Sequence, residues 1–234
     1  MKIVCLTSNL YHPVLEPFTY YWNTLAGDER RVTVACYDAP VPALPDNFDV
    51  LRIGAQTDYT WSSGLLRALN ELDADVILLT LEDYFLIERP NWPLIDECAD
   101  LLARGDDVVK VDLSDDRLKH DYRIDRTLPH GRLIRNADAA PFQTSLQAAL
   151  WRTNFLRRFL EPTENPWEFE KRGTKRIIAE RQAVTFRGLV LGCKTPPLVY
   201  SNACGGAGSK PGLIQAKHMP AWMWAECIER GWAA

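Results

Sequence analysis

The chain has 234 residues, 47% of them hydrophobic and 25% charged, with a formal net charge of −4. That length suits one sizeable α/β domain, or one domain with a small appendage, and the composition is that of an ordinary soluble globular protein. No apolar run approaches the roughly 20 residues of a membrane span, and none of the six cysteines forms a CxxC, which argues against a zinc or dithiol centre. Buried free thiols in a reducing compartment are expected, hence a cytoplasmic protein. The charge is uneven: residues 1–116 carry 8 Lys/Arg against 21 Asp/Glu, whereas residues 117–187 carry 15 against 8. An acidic half joined to a basic half implies two surfaces with different partners.

Met1–Leu6 ends too soon for a signal peptide and reads as the first strand, KIVCLT at 2–7. A helix is expected from Glu16 to Leu25, a second strand at 31–37 and a short one at 49–53 after a proline-rich loop. Apolar spacing in SSGLLRALNELDA predicts a helix over 62–74, capped by Thr60 or Ser62. It leads into a strand at 76–81, a helix over 91–104 and a strand at 107–113. This rhythm predicts βαβ units. Residues 115–135 lack a clear period. TSLQAALWRTNFLRRFLEP (144–162) reads as two helices meeting near Thr153, with Ser145 and Thr153 as caps, and short strands are expected within 182–200. A glycine-rich loop (205–212) and a helix over 220–232 opened by Pro220 close the chain. No internal repeat or low-complexity linker divides it, so one domain is expected, with a division of labour near residue 114.

Chemistry concentrates in two places. VILLTLEDYFL (76–86) is an apolar strand that ends in Glu82 and Asp83. Ligands bind at the carboxyl ends of strands in open α/β sheets, and paired acidic oxygens there can hold a divalent cation, which in turn can hold a diphosphate. The plainer alternative is a solvated acidic turn. EPTENPWEFEKRGTKR (161–176) places Glu161, Glu164, Glu168 and Glu170 around Trp167 and Phe169. Acidic residues suit the first turn of a helix opened by Pro166. A carboxylate shielded by aromatics also suits a general base. By position, Thr7, Ser8 and Asn9 follow the first strand, where a nucleotide is held, and Trp61 and Ser62 can complete that pocket. Lys210, Lys217 and His218 lie in a basic late loop able to close on a diphosphate, and His218 can join Asp83 at a metal. GGAGSK lacks the P-loop spacing.

The order WSSGLL, VILLTLEDYFL, SLQAALW, ENPWEFEKRG, over residues 58–190, resembles bacterial and phage glycosyltransferase-like proteins of the GT-A architecture. The resemblance implies an α/β fold, GT-A-like (Rossmann-like), with a mixed, mainly parallel sheet flanked by helices. Residues 1–114 would form the nucleotide-sugar-binding half, and 115–234 the acceptor-binding half with a C-terminal loop and helix. It implies a hexosyl or pentosyl transferase, inverting, that uses a nucleotide diphosphate sugar such as a UDP sugar. In it Asp83 looks like the metal and diphosphate ligand with Glu82 beside it, for Mn or Mg. Glu170, and less so Glu168, looks like the base, while Ser145, Gln147 and Trp151 resemble a pocket-lining helix. A Glu-Asp-Tyr in place of a spaced Asp-x-Asp leaves the need for a metal open. The basic 117–187 region, with His120, Tyr122 and Arg123, suits phosphates, so a hydroxylated pyrimidine in phage DNA is one expected acceptor. A surface-polysaccharide enzyme with a small sugar acceptor, a metal-dependent hydrolase or nuclease, and a non-catalytic nucleotide-binding module are the alternatives.

Overall fold

The computed structural model describes residues 1–105, 107–205 and 212–233, without the His218 side chain. In chain order its strands and α-helices are β1 (Lys2–Leu6), α1 (Leu15–Ala26), β2 (Val32–Cys36), β3 (Phe48–Arg52), α2 (Trp61–Glu71), β4 (Val76–Leu81), β5 (Tyr84–Leu86), α3 (Trp92–Ala103), β6 (Val108–Asp112), β7 (Tyr122–Leu128), β8 (Gly131–Asn136), β9 (Ala149–Arg152), α4 (Thr153–Phe159), α5 (Pro166–Glu168), α6 (Thr174–Gln182), β10 (Leu189–Cys193), β11 (Tyr200–Asn202) and α7 (Ala221–Glu229). The protein is mixed α/β, with mainly parallel strands flanked by helices. Its contacts gather into two units drawn from interleaved stretches of chain. A terminal unit holds residues 3–56, 80–90 and 198–234, and a central unit holds 1–2, 57–79 and 91–197. This grouping does not follow a division at residue 114.

In the terminal unit, β1, β2 and β3 are parallel neighbours. Their inward residues Val4, Leu6, Val32, Val34 and Phe48 are buried, the β-branched and aromatic content that favours strand. α1 turns Leu15, Phe18, Tyr21 and Trp22 inward at helical spacing, and Gly27 ends it at a positive φ of 82° that favours glycine. The α7 expected from sequence is present. It docks on α1 through the Tyr21 hydroxyl, which donates to the Met223 carbonyl at 3.2 Å, and the Tyr20 hydroxyl, which donates to Glu226 at 2.6 Å.

The central unit's strands follow the order β4-β9-β6-β10-β8-β7. β9 is antiparallel to both β4 and β6, β10 is parallel to β6, and β8 is antiparallel to β10 and β7. Four strands therefore share one direction, and β9 and β8 reverse it. α2 is capped by Thr60, whose side chain accepts from Ser63 N–H while the Ser63 hydroxyl accepts from Thr60 N–H. α3 is capped by Asn91 and has Pro93 in its first turn.

Two sequence expectations need correction. Residues 144–152 are not helical, and Ser145, Gln147 and Trp151 do not line a helix. Ala, Leu and Gln favour helix locally, but β4 and β6 each present an unpaired ladder edge, and Ala149–Arg152 satisfies both. Helix begins only at Thr153, whose hydroxyl donates to the Ala74 carbonyl at 2.8 Å instead of acting as the cap. Within the aperiodic 115–135, β7 pairs with β8 as a hairpin through Leu128 and Gly131. β7 has no buried residue on either face, so no apolar alternation marks it.

Gly192 in β10 lies against Arg117: a Cβ there would sit 2.6 Å from both Cβ and Cγ of that side chain. Because Arg117 is anchored by Asp112, the Gly192→Ala variant is expected to lose about 1–3 kcal/mol, read as a lower urea midpoint with an unchanged slope.

Candidate functional site

The terminal unit gathers the strand-end carboxylates and the loop after β1. Glu82 and Asp83 are buried, at 5% and 8% exposure, so the solvated-turn alternative fails. Burial pushes the Glu82 carboxyl well above its usual range, and neighbouring Asp83 adds to this, while the Thr7 hydroxyl opposes it. Burial raises Asp83 to about 6. The two carboxylates, after burial, also raise the Cys5 and Cys204 thiols and the Tyr11 phenol, the last to about 12. The Asp83 carbonyl accepts from Ala203 N–H at 2.7 Å, which ties the late loop to this spot. Gly212 (φ 71°) passes so close to Leu10 that a Cβ would meet its carbonyl oxygen at 2.2 Å.

Thr7 is buried, and Ser8 and Asn9 are half-exposed. Asn9 carries a polar network: its amide donates to Asp38 at 3.0 Å, its backbone N–H donates to Gln56 at 2.8 Å, and its oxygen accepts from Ala39 N–H. Asp38 also accepts from Gln56 N–H. These hydrogen bonds, led by Asn9, hold the Asp38 carboxyl below its usual range. Asp38 and Gln56 were not singled out by sequence. The signal available was an Asp two residues beyond a β-branched strand. Lys217 is exposed. Lys210 and the His218 side chain lie outside the described residues. Among the described residues, no three His, Cys, Asp or Glu side chains converge as a metal cluster.

The central unit holds the second cluster. Lys110, in the middle of β6, has no exposed surface. Its ammonium contacts Asp112 at 2.5 Å, donates to the Ser145 carbonyl at 2.8 Å and lies 4.4 Å from the centre of the Trp151 ring. Burial lowers it to about 8, against the pull of Asp112. Asp112 also takes Arg117 Nε at 2.5 Å, and the Ser145 hydroxyl donates to Asp116 at 2.5 Å. The peptide group that receives Lys110 at its carbonyl uses its N–H, that of Leu146, to donate to Glu170 Oε1 at 2.7 Å. A buried cation and a half-buried carboxylate are thus joined through one polarised peptide. Burial raises the Glu170 carboxyl. The Leu146 N–H and Lys110 oppose this, and Asp116 and Asp112 reinforce it. Lys110 and Asp112 were missed, although two charges spaced i, i+2 inside an apolar strand were a visible signal.

Glu170 sits in a π turn, Phe169–Gly173, between α5 and α6, a feature often found at functional sites. Gly173 permits it, since a Cβ would lie 2.9 Å from Thr144 Oγ1. The structure separates the four glutamates. Glu168 is held in a capping box with Asn165 and pairs with Arg172 at 3.1 Å. Buried Glu164 takes both Arg176 Nη groups at 2.7 Å. Trp167 is 68% exposed, so buried Phe169, with the Trp61 ring 5.9 Å away, supplies the apolar shield. Ser62 donates its N–H to the Glu164 carbonyl at 3.2 Å. Trp61 and Ser62 therefore stand with the acidic segment, within the central unit. Gln147 is half-buried, and its N–H donates to the Ser145 hydroxyl.

No family model and no curated protein matches this sequence. Similar solved structures include residues 1–349 of S. aureus TarS in complex with UDP, at 12% identity over 85% of this chain and with a TM-score of 0.49. The chain spans 59% of that fragment. An active-site mutant of LgtC matches at 15% identity over 82% of this chain and 72% of its own, with a TM-score of 0.45. A CMP:2-keto-3-deoxy-manno-octonic acid synthetase with CTP matches at 11% identity over 99% and 96%, also at 0.45.

A carboxyl raised in the folded state binds its proton more tightly there than when unfolded, so its contribution to stability falls as pH rises through the window between the two values. For Asp83 that window runs from its ordinary value near 4 to about 6. In chelator, Asp83→Asn is expected to be more stable than the parent at pH 8, by roughly 1–3 kcal/mol, and nearly equal to it at pH 4. Thermal unfolding at both pH values checks this.

Proposed function

We propose that the protein transfers a sugar from a nucleotide diphosphate sugar, a UDP sugar foremost, to an acceptor hydroxyl. The observation that carries this reading is the buried Glu82–Asp83 pair at the end of an apolar strand, beside Thr7. Two carboxylates that resist ionisation alone are poised to receive positive charge. Their hard oxygen donors fit Mg or Mn. Glu82 and Asp83 would hold that ion, which offsets charge building on the departing diphosphate. The His218 ligand and the Lys217 contact to the diphosphate remain part of the proposal.

Thr7, Ser8 and the Asn9–Asp38–Gln56 network offer donors and acceptors for a base and ribose at the carboxyl ends of β1 and β2. In the central unit Glu170 acts as the base. Its Oε1 is fixed by Leu146, and Oε2 takes the acceptor proton. Burial favours the protonated form, so the carboxylate accepts a proton readily, while the Leu146 N–H and Lys110 favour the ionised form. Glu168, engaged in its cap, is the lesser candidate. One base without a protein nucleophile suits single displacement with inversion. The basic 117–187 region supports a polynucleotide acceptor, a hydroxymethylated pyrimidine in DNA, in a cytoplasmic setting.

The protein, supplied with Mg or Mn and a panel of nucleotide sugars, is expected to release nucleoside diphosphate. Glu170→Gln should cut kcat by about 10²–10⁴ with little change in donor KM, whereas Asp83→Ala should chiefly weaken donor binding. Transfer at parental rates in both variants would remove the assignment, and release of pyrophosphate would indicate nucleotidyl transfer instead.

A further inference from the structure

The β7–β8 hairpin carries a charge arrangement that the reaction described above does not use. Arg123 and Arg135 are direct partners in the antiparallel register, so their side chains leave the same face. Like charges placed directly opposite each other destabilise a strand pair. Arg181, from α6, reaches the same place: its Nη1 donates to the Asp138 carbonyl at 2.9 Å. The Asp138 carboxylate, 2.7 Å from Arg135 Nη2, is held below its usual range by Arg135 first, and then by Arg181 and Arg123. Three guanidiniums thus act on one carboxylate. Arg123 and Arg135 border an open cavity of about 390 Å³ that Asp121, Tyr122 and Asp138 help to line; Arg181 is held outside that lining by Gln143 and the Gly188 carbonyl.

Arg123 and Arg135 therefore stand beside the Asp138 carboxylate at a space open to solvent. Guanidinium forks match the oxygens of a phosphate bidentately, and a phosphate bridging Arg123 and Arg135 would remove the cross-strand repulsion. The geometry points to a phosphate-binding site on the β7–β8 face, formed by Arg123 and Arg135, that holds a phosphodiester of the acceptor strand. Asp138 occupies part of the guanidinium field when no phosphate is bound and competes with it. The identification of the phosphate as the acceptor's rests on the proposed transfer to a polynucleotide; the anion site itself does not.

Inorganic phosphate is titrated into protein labelled with ¹⁵N at arginine, with the Nε–H signals observed at constant ionic strength. Signals of Arg123 and Arg135 should move together. Arg123→Gln and Arg135→Gln should each weaken phosphate binding by about tenfold or more, the loss of a charge-assisted hydrogen bond. Asp138→Asn should tighten it, a gain that a damaged fold does not produce. A short single-stranded oligonucleotide should bind with a salt dependence that falls by about one unit of slope for each arginine removed. Phosphate affinity unchanged in the double arginine variant overturns the site. Oligonucleotide binding that survives while phosphate binding is lost overturns its assignment to the acceptor. Both readouts need neither donor nor transfer, so sugar transfer that fails while phosphate binding stands counts against the proposed reaction alone.

Discussion

A lysine with no exposed surface governs the central unit. An ammonium removed from water costs several kcal/mol unless every proton finds a partner, and breaking such a pair costs about 3–5 kcal/mol. Lys110 meets that demand with Asp112, the Ser145 carbonyl and the face of Trp151. Each partner then constrains a further segment. Asp112 fixes Arg117, which reaches the Phe142 and Pro141 carbonyls. Ser145 is held from its other side by Asp116, and Trp151 lies in β9, between β4 and β6. The loop from 137 to 148 is therefore held by polar groups in β6 and in the turn after it.

The terminal unit follows the opposite electrostatic plan. Its buried acidic pair has burial as its main influence, and among the described residues no Lys or Arg offsets that influence on either carboxyl. A fold selected only for stability would replace one of these groups with an amide. Holding both, next to a loop rich in hydrogen-bonding side chains, costs stability, the compromise that the charged-ligand site proposed above would require.

Regular amphipathic periods are readable in the sequence: α1, α2, α3 and α7, and the apolar strands β1, β2, β4 and β6, lie within three residues of where the pattern puts them. Both misreadings concern segments whose state is decided by neighbours. The 149–152 stretch has helix-favouring composition, yet two open strand edges claim it. β7 lacks an inward face, so no alternation betrays it. The acidic pair and Glu170 were legible as site candidates because carboxylates beside apolar runs are costly. Asp38, Gln56 and Asp116 were not, since their roles come from partners 18 to 47 residues away, and the i, i+2 charges of Lys110 and Asp112 were passed over.

The π turn at 169–173 has a consequence for how this chain can vary. One extra residue is inserted into an otherwise continuous helical path from Pro166 to Gln182. The side chains before and after it are consequently out of phase by about 100° relative to a regular helix. Glu168 caps on one side of that break, while Arg176 and Arg181 anchor on the other. A one-residue deletion that restores a regular helix would therefore change which face Glu170 presents, and with it the hydrogen bond it takes from the Leu146 N–H.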